Sequence, residues 1–169
     1  YDPVSNTSWT LEYPVKTMDD IEAIASVPWE LPEGLEPPSG DVSDDFGGRG
    51  ILDTRISSPF VCAAGMMKFE QFLELTATEP ALVDELTEIC RQRTMDVLEV
   101  LFSKPGIEYL WIGGSEWVTA PMASPRTYDR LVQKQERDLI AYAHQHDDVV
   151  VHVHCHGHVR HALQRTIER

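Results

Sequence analysis

Between Val149 and His158 the chain reads VVVHVHCHGH, an apolar run that ends in His152, His154, Cys155, His156 and His158 around Gly157. Neutral imidazole is the commonest protein ligand for metal ions. Along a strand successive side chains point to opposite faces, so Val150, His152, His154 and His156 share one face and Val151, Val153 and Cys155 the other. Imidazoles at i and i+2 near a strand end, just before a glycine turn, supply half of a metal site. The neighbours have plainer roles. His152, one layer deeper, is expected to be a hydrogen-bonded core histidine, and Cys155 to pack against helices. His158 and His161 are expected in the following helix as surface or supporting groups.

These side chains need strands to hold them. The run at Val149 is β-branched and bounded by polar residues and a glycine, which predicts a buried strand. Ile107 to Ile112 (IEYLWI) predicts a second strand, with Gly113, Gly114, Ser115 and Glu116 at its C-terminal end, and Gly50 to Ile56 (GILDTRI) a first, followed by a turn over Ser57 to Phe60. The long helix between the first two strands is the clearest element. Thr78 can cap it, Pro80 suits its first turn, and Leu82, Leu86, Ile89, Val97, Leu98 and Leu101 keep helical spacing to about Phe102. Cys90 falls on its apolar side as a small buried hydrophobe. Val61 to Leu75 predicts two short helical pieces broken at Gly65. Ser124 and Pro125 open another helix, with Tyr128, Leu131, Val132, Leu139, Tyr142 and Ala143 as its buried stripe and Arg126, Arg130, Lys134, Arg137 and Asp138 solvated. His144 and His146 close it, and a last helix runs from about His158 to Ile167.

Upstream, Thr17 with Asp19 and Asp20 predicts a capped helix that Pro28 closes. Residues 1 to 16, with Pro3, Trp9 and Tyr13, predict an extended lead-in. From Trp29 to Gly50 the chain is a long loop with Pro37, Pro38, Gly40, Gly47 and Gly48. Its glycines match no phosphate motif, and Asp41, Asp44 and Asp45 would repel an anion. Strand and helix therefore alternate from residue 50 onward, with crossovers long enough for a parallel sheet. Ligands bind at the C-terminal ends of strands in such sheets and barrels, where both Gly113 to Glu116 and His154 to Gly157 lie.

At 169 residues the chain suits one domain with a sizeable core. A net charge of -14 and a pI near 4.7 would repel a phosphate backbone or an anionic membrane, so no nucleic acid or membrane partner is expected. No apolar run approaches the roughly 20 residues of a membrane span, and no charged-then-apolar leader opens the chain, which predicts a soluble, cytoplasmic protein. Cys62, Cys90 and Cys155 are odd in number and widely spaced, fitting reduced thiols. The start at Tyr1, without an initiator Met, is what a fragment, a processed chain or a trimmed one would show.

The segment IGGSEWVTAPMASPRTY from Ile112 to Tyr128, then a helix, then VHVHCHG from Val151 to Gly157, resembles the uroporphyrinogen decarboxylase superfamily. That superfamily includes the decarboxylase proper and the zinc-dependent corrinoid methyltransferases, all on a (β/α)8 barrel. Its members carry an acidic residue after one strand, a Ser-Pro at the head of the next helix, and His-x-Cys-Gly or a variant at the end of the following strand. YPVKTMDDI from Tyr13 to Ile21, Ser58-Pro59-Phe60 and Glu79-Pro80 are further landmarks, so the similarity runs from about residue 13 to 163. Where the decarboxylase branch has Asp-Ser-Trp-Ala-Gly, this chain has Gly-Ser-Glu-Trp, and its His-x-His-Gly is closer to the methyltransferases.

The resemblance implies an α/β fold, a partial (β/α)8 TIM barrel made of a lead-in helix and loop over 1–49 and three βα units over 50–169. It places His154 at the family's zinc-ligand histidine and His156 at the position of its cysteine. Imidazole in place of thiolate still ligates zinc while donating less charge, which leaves a stronger Lewis acid. Glu116 takes the acidic position, where it could orient a substrate, transfer a proton or approach the metal. The implied reaction is zinc-assisted methyl transfer from a corrinoid, carried by a separate protein, to a thiol that the metal deprotonates. The methyltransferases' late cysteine ligand and the decarboxylases' arginine-rich N-terminal motif are absent. The alternatives are a small-molecule carboxy-lyase acting on a tetrapyrrole, and a non-catalytic truncated barrel module. An eight-stranded barrel takes about 250 residues, so three strands imply self-association or a longer chain.

Overall fold

A computed structural model describes residues 4–6, 8, 10–37, 47, 49–51, 53–146 and 148–167. The expectations for Pro3, Trp9, Pro38, Gly40, Asp41, Asp44, Asp45 and Gly48 lie outside the described residues. Strands β1 (Asp53–Ser57), β2 (Tyr109–Gly113) and β3 (Val150–Val153) form one parallel sheet in the order β1-β2-β3. The register sets Arg55 beside Trp111 and Trp111 beside His152, and likewise Ile56, Ile112 and Val153.

Alternation along these strands gives the sheet two unlike faces. Ile56, Leu110 and Ile112, with Val151 and Val153, pack on Leu98, Phe102, Leu139, Ile140 and Ala143 of the crossover helices. Full burial of one such side chain is worth about 2 kcal/mol relative to exposure, so this face fixes how the helices lie. The opposite face carries Asp53, Arg55, Tyr109, Trp111, Val150 and His152, which are half-buried or exposed. The strand at Val149 is therefore buried on one side only, and Val150 is 58% exposed.

A second apolar cluster forms around α1 (Met18–Ser26), α2 (Pro59–Ala64), α3 (Phe69–Thr78) and the first half of α4 (Pro80–Leu101). Phe60 meets Phe72 edge-on at 5.5 Å between ring centres, and Cys155 packs at the margin, on the helix side where alternation puts it. Thr17 opens α1 as expected, and its backbone N–H donates to the Asp20 carboxylate at 2.7 Å. Thr78 does not cap α4. It ends α3, and its hydroxyl donates to the Glu74 carbonyl at 3.1 Å. The break falls on Glu79, at φ −132° and ψ 57°, because the proline that follows disfavours the helical region for the residue before it.

The helix after β2 runs as α5 (Pro125–Tyr128), a π turn (Asp129–Gln133) and α6 (Lys134–Ala143). Ser124 caps it, its hydroxyl accepting from the Thr127 N–H at 3.2 Å. The π turn holds an extra residue and so rotates everything after it by about 100°. Gln135 and Glu136 are buried as well: they continue the helical row of Leu131 and Val132 toward Leu139 and Ile140, although they lie outside the apolar stripe expected from sequence. Helix α7 (Val159–Ile167) follows β3. No helix among the described residues is long and apolar enough to cross a membrane.

Candidate functional site

The C-terminal ends of β2 and β3 carry the polar groups. After β2 the chain turns through Gly113 and Gly114, and each glycine has a steric reason. A Cβ on Gly113 would stand 2.1 Å from Cη2 and Cζ3 of the Trp111 indole. One on Gly114, where φ is +96°, would stand 2.1 Å from Cγ2 of Val61. The turn leads into a 3₁₀ segment, Ser115–Val118, which holds Glu116. Oε2 of Glu116 is buried and has no hydrogen-bond partner among the described residues. The Thr119 hydroxyl donates to the Glu116 carbonyl at 2.9 Å, and the buried Ser115 hydroxyl donates to Glu136 on α6. At the end of β1, the Ser58 N–H donates to the Gly113 carbonyl at 2.9 Å, while the Ser58 hydroxyl is another buried oxygen without a partner.

Beyond β3, the His154 N–H donates to the Ile112 carbonyl at 2.8 Å and so carries the ladder one residue past the strand. His154 and His156 come together as strand alternation predicts. Their Nε2 atoms are 2.7 Å apart with the rings perpendicular, 4.3 Å between centres. Two nitrogens that close share a proton, one donating and the other accepting, and a metal ion that displaced this proton would meet both nitrogens. Tetrahedral zinc with Zn–N bonds of about 2.0–2.1 Å would hold the two nitrogens about 3.3 Å apart. Opening the 2.7 Å pair that far requires only that the exposed His156 ring swing outward. The donors therefore fit half of a zinc shell. Among the described residues no group of three or more His, Cys, Asp or Glu side chains is gathered to hold a metal, so Glu116 stands apart from the imidazole pair.

His152 is hydrogen-bonded as expected, Nδ1 meeting the Tyr109 hydroxyl, but it sits half-buried on the open sheet face. His161 lies in α7, its Nε2 2.7 Å from Oδ1 of Asp129, and with His158 it lines a small cavity beside Thr119 and Tyr128. The helix thiols are not nucleophiles near neutral pH. Burial pushes Cys62 up, and burial together with the nearby Cys62 pushes Cys90 up to about 12.

The uroporphyrinogen decarboxylase (URO-D) family model matches residues 10–168. The chain belongs to the URO-D family. Its fold is similar to that of a methyltransferase from Methanosarcina mazei, with a TM-score of 0.60 and 13% sequence identity, over 75% of this chain and 36% of that one. No curated protein matches by sequence. The URO-D chain thus spans little more than a third of that methyltransferase's length, and its three parallel strands form an open part of a TIM-barrel-like fold.

Sequence reasoning about this URO-D chain found the histidine pair and the acidic turn and missed the side chains that support them. Tyr109, Trp111 and Ser58 read only as strand and turn residues. Glu136 had a signal: Val132, Glu136 and Ile140 recur at intervals of four, so an acid occupies a buried helical row.

Proposed function

We propose that this URO-D chain is the metal-holding part of a methyltransferase-like barrel, in which His154 and His156 ligate zinc and Glu116 serves the acceptor. The observation that carries this reading is the convergence of the two Nε2 atoms at 2.7 Å beside the C-terminal ends of parallel strands. When bound, zinc holds a thiol as its thiolate near neutral pH, the form that takes a methyl group from a methylated corrinoid carried on a separate protein. The chain's own residues orient and receive. The imidazoles fix where the sulfur sits, and Oε2 of Glu116, buried and without a partner among the described residues, accepts the proton the thiol gives up. A buried carboxylate oxygen with no partner costs about 1–3 kcal/mol, and proton acceptance is a reason to keep it. The open sheet face, and the edges at β1 and β3 that pair with no other strand among the described residues, favour completion of the barrel by further chain or by a second copy.

Metal analysis of protein purified without chelator tests the reading. Stoichiometric zinc is expected, lost in His154→Ala and in His156→Ala with the fold intact by circular dichroism. A metal-free parent that takes up no added zinc would sink it.

A further inference from the structure

Resting on the metal reading of His154 and His156, we propose that Trp111 is a positioning residue that sets the plane of the His154 imidazole. A ligating histidine ordinarily donates its second ring N–H to a carboxylate or carbonyl, which fixes tautomer and orientation. Among the described residues His154 has no such bond: its ring hydrogen bond runs through Nε2 to His156, and its backbone N–H goes to Ile112. What its ring does have is an aromatic plane. The indole of Trp111 lies 5.0 Å from it, centre to centre, at an interplanar angle of 35°.

The arrangement follows from the register. Trp111 pairs with His152, so His154 is its diagonal neighbour one pleat further along the same face, within reach of an aromatic side chain. To get there the indole must lean forward across Gly113. Only a residue without Cβ permits that, since a Cβ would meet the ring at 2.1 Å. The indole also meets a cation. The guanidinium of Arg55 stands 5.6 Å from its centre, and Nε of Arg55 donates to Asp53 at 2.7 Å. Asp53 and Arg55 on β1, Trp111 on β2 and His154 just past β3 thus follow one another across the sheet, with Trp111 in reach of both a cation and the imidazole it orients. His152, held by Tyr109, closes the edge of His154 at 6.0 Å.

Three variants of the chain separate orientation from bulk. Trp111→Phe keeps an aromatic plane, Trp111→Leu keeps only apolar volume, and Gly113→Ala keeps the indole but pushes it off its seat. Zinc affinity is read by competition with a chromophoric chelator, beside circular dichroism and urea unfolding. Trp111→Leu and Gly113→Ala are expected to weaken zinc binding about tenfold, the lower end for loss of a supporting contact to a ligand, while Trp111→Phe stays near the parent. Cobalt titration gives a second readout that needs no destabilised variant: Co²⁺ on His154 should quench indole emission in the parent, and that part of the quenching should vanish in Trp111→Phe. Parent-like zinc affinity in folded Trp111→Leu and Gly113→Ala, or unchanged quenching in Trp111→Phe, overturns the positioning role and leaves the metal reading standing. A parent chain that binds neither ion overturns both.

Discussion

The hydroxyl of Ser115, at the end of β2, donates to the carboxyl group of Glu136, which is fully buried on α6. That bond ties the 3₁₀ segment carrying Glu116 to the helix behind the sheet. Removing the acceptor leaves the buried Ser115 hydroxyl unpaired and opens a void. Glu136→Ala is expected to lower stability by about 1–3 kcal/mol, while Glu136→Gln, whose amide oxygen still accepts, loses less. Urea unfolding of both variants measures the difference. Equal losses would show that the carboxylate itself matters, and not the volume or an acceptor oxygen alone.

Gly114 has two independent constraints, a left-handed φ of +96° and Cγ2 of Val61 2.1 Å from where a Cβ would stand. Gly114→Ala is expected to cost about 1–3 kcal/mol, from the backbone strain and the forced shift of α2 together. Shortening the obstacle separates the two. The double variant with Val61→Ala should recover the steric part and leave the strain, a positive coupling visible in a double-mutant cycle. Strict additivity would mean that Val61 moves aside without cost.

What the sequence disclosed depends on how local the cause is. Strand alternation alone placed His154 and His156 on one face, and their nitrogens do meet. Proline and glycine punctuation located the long helix and the break at Gly65, because those residues act on their own backbone. The failures are non-local or depend on a small shift in register. Glu136 keeps the helical spacing of Val132 and Ile140, and its charge hid a buried row whose hydrogen-bond partner, Ser115, lies on another element. Thr78 looked like a cap because it precedes a proline by two residues, and it instead ends the helix before. The Trp111 to His154 contact joins residues on different strands and requires knowing that Gly113 is the space between them.

The thiols give an alkaline limit to stability. Burial, then Cys62, pushes the folded pKa of Cys90 up to about 12, above the ordinary thiol value of 9.0. Between those values the unfolded chain loses the Cys90 proton and the folded chain keeps it, so the stability that protonation supplies is whole below about pH 9 and declines as pH rises toward 12. The slope from one such group is at most about 1.4 kcal/mol per pH unit. Cys62, shifted in the same direction, adds to it. Urea midpoints should therefore fall more steeply between pH 9 and 10.5 in the parent than in Cys90→Ala, which removes one titrating thiol and leaves the lysines and tyrosines common to both. Parallel pH profiles would show that Cys90 ionises as freely folded as unfolded.

Glu116 gives the sharpest contrast between stability and use. Its Oε2 is buried without a partner among the described residues, a cost that folding alone gives no reason to bear. Replacing it with an apolar residue of similar size removes that cost and keeps the contacts of the side-chain stem. Glu116→Leu is therefore expected to raise stability by about 1 kcal/mol, a gain of about 2–4 °C in thermal midpoint for a chain of this length. On the proposed methyl-transfer reading, zinc binding at His154 and His156 should be unchanged, because Glu116 is not gathered with the pair among the described residues, while any thiol methylation should fall. Thermal unfolding and zinc titration on the same variant check both halves. A less stable Glu116→Leu would mean that the carboxylate supports the turn and is not held in reserve for a proton.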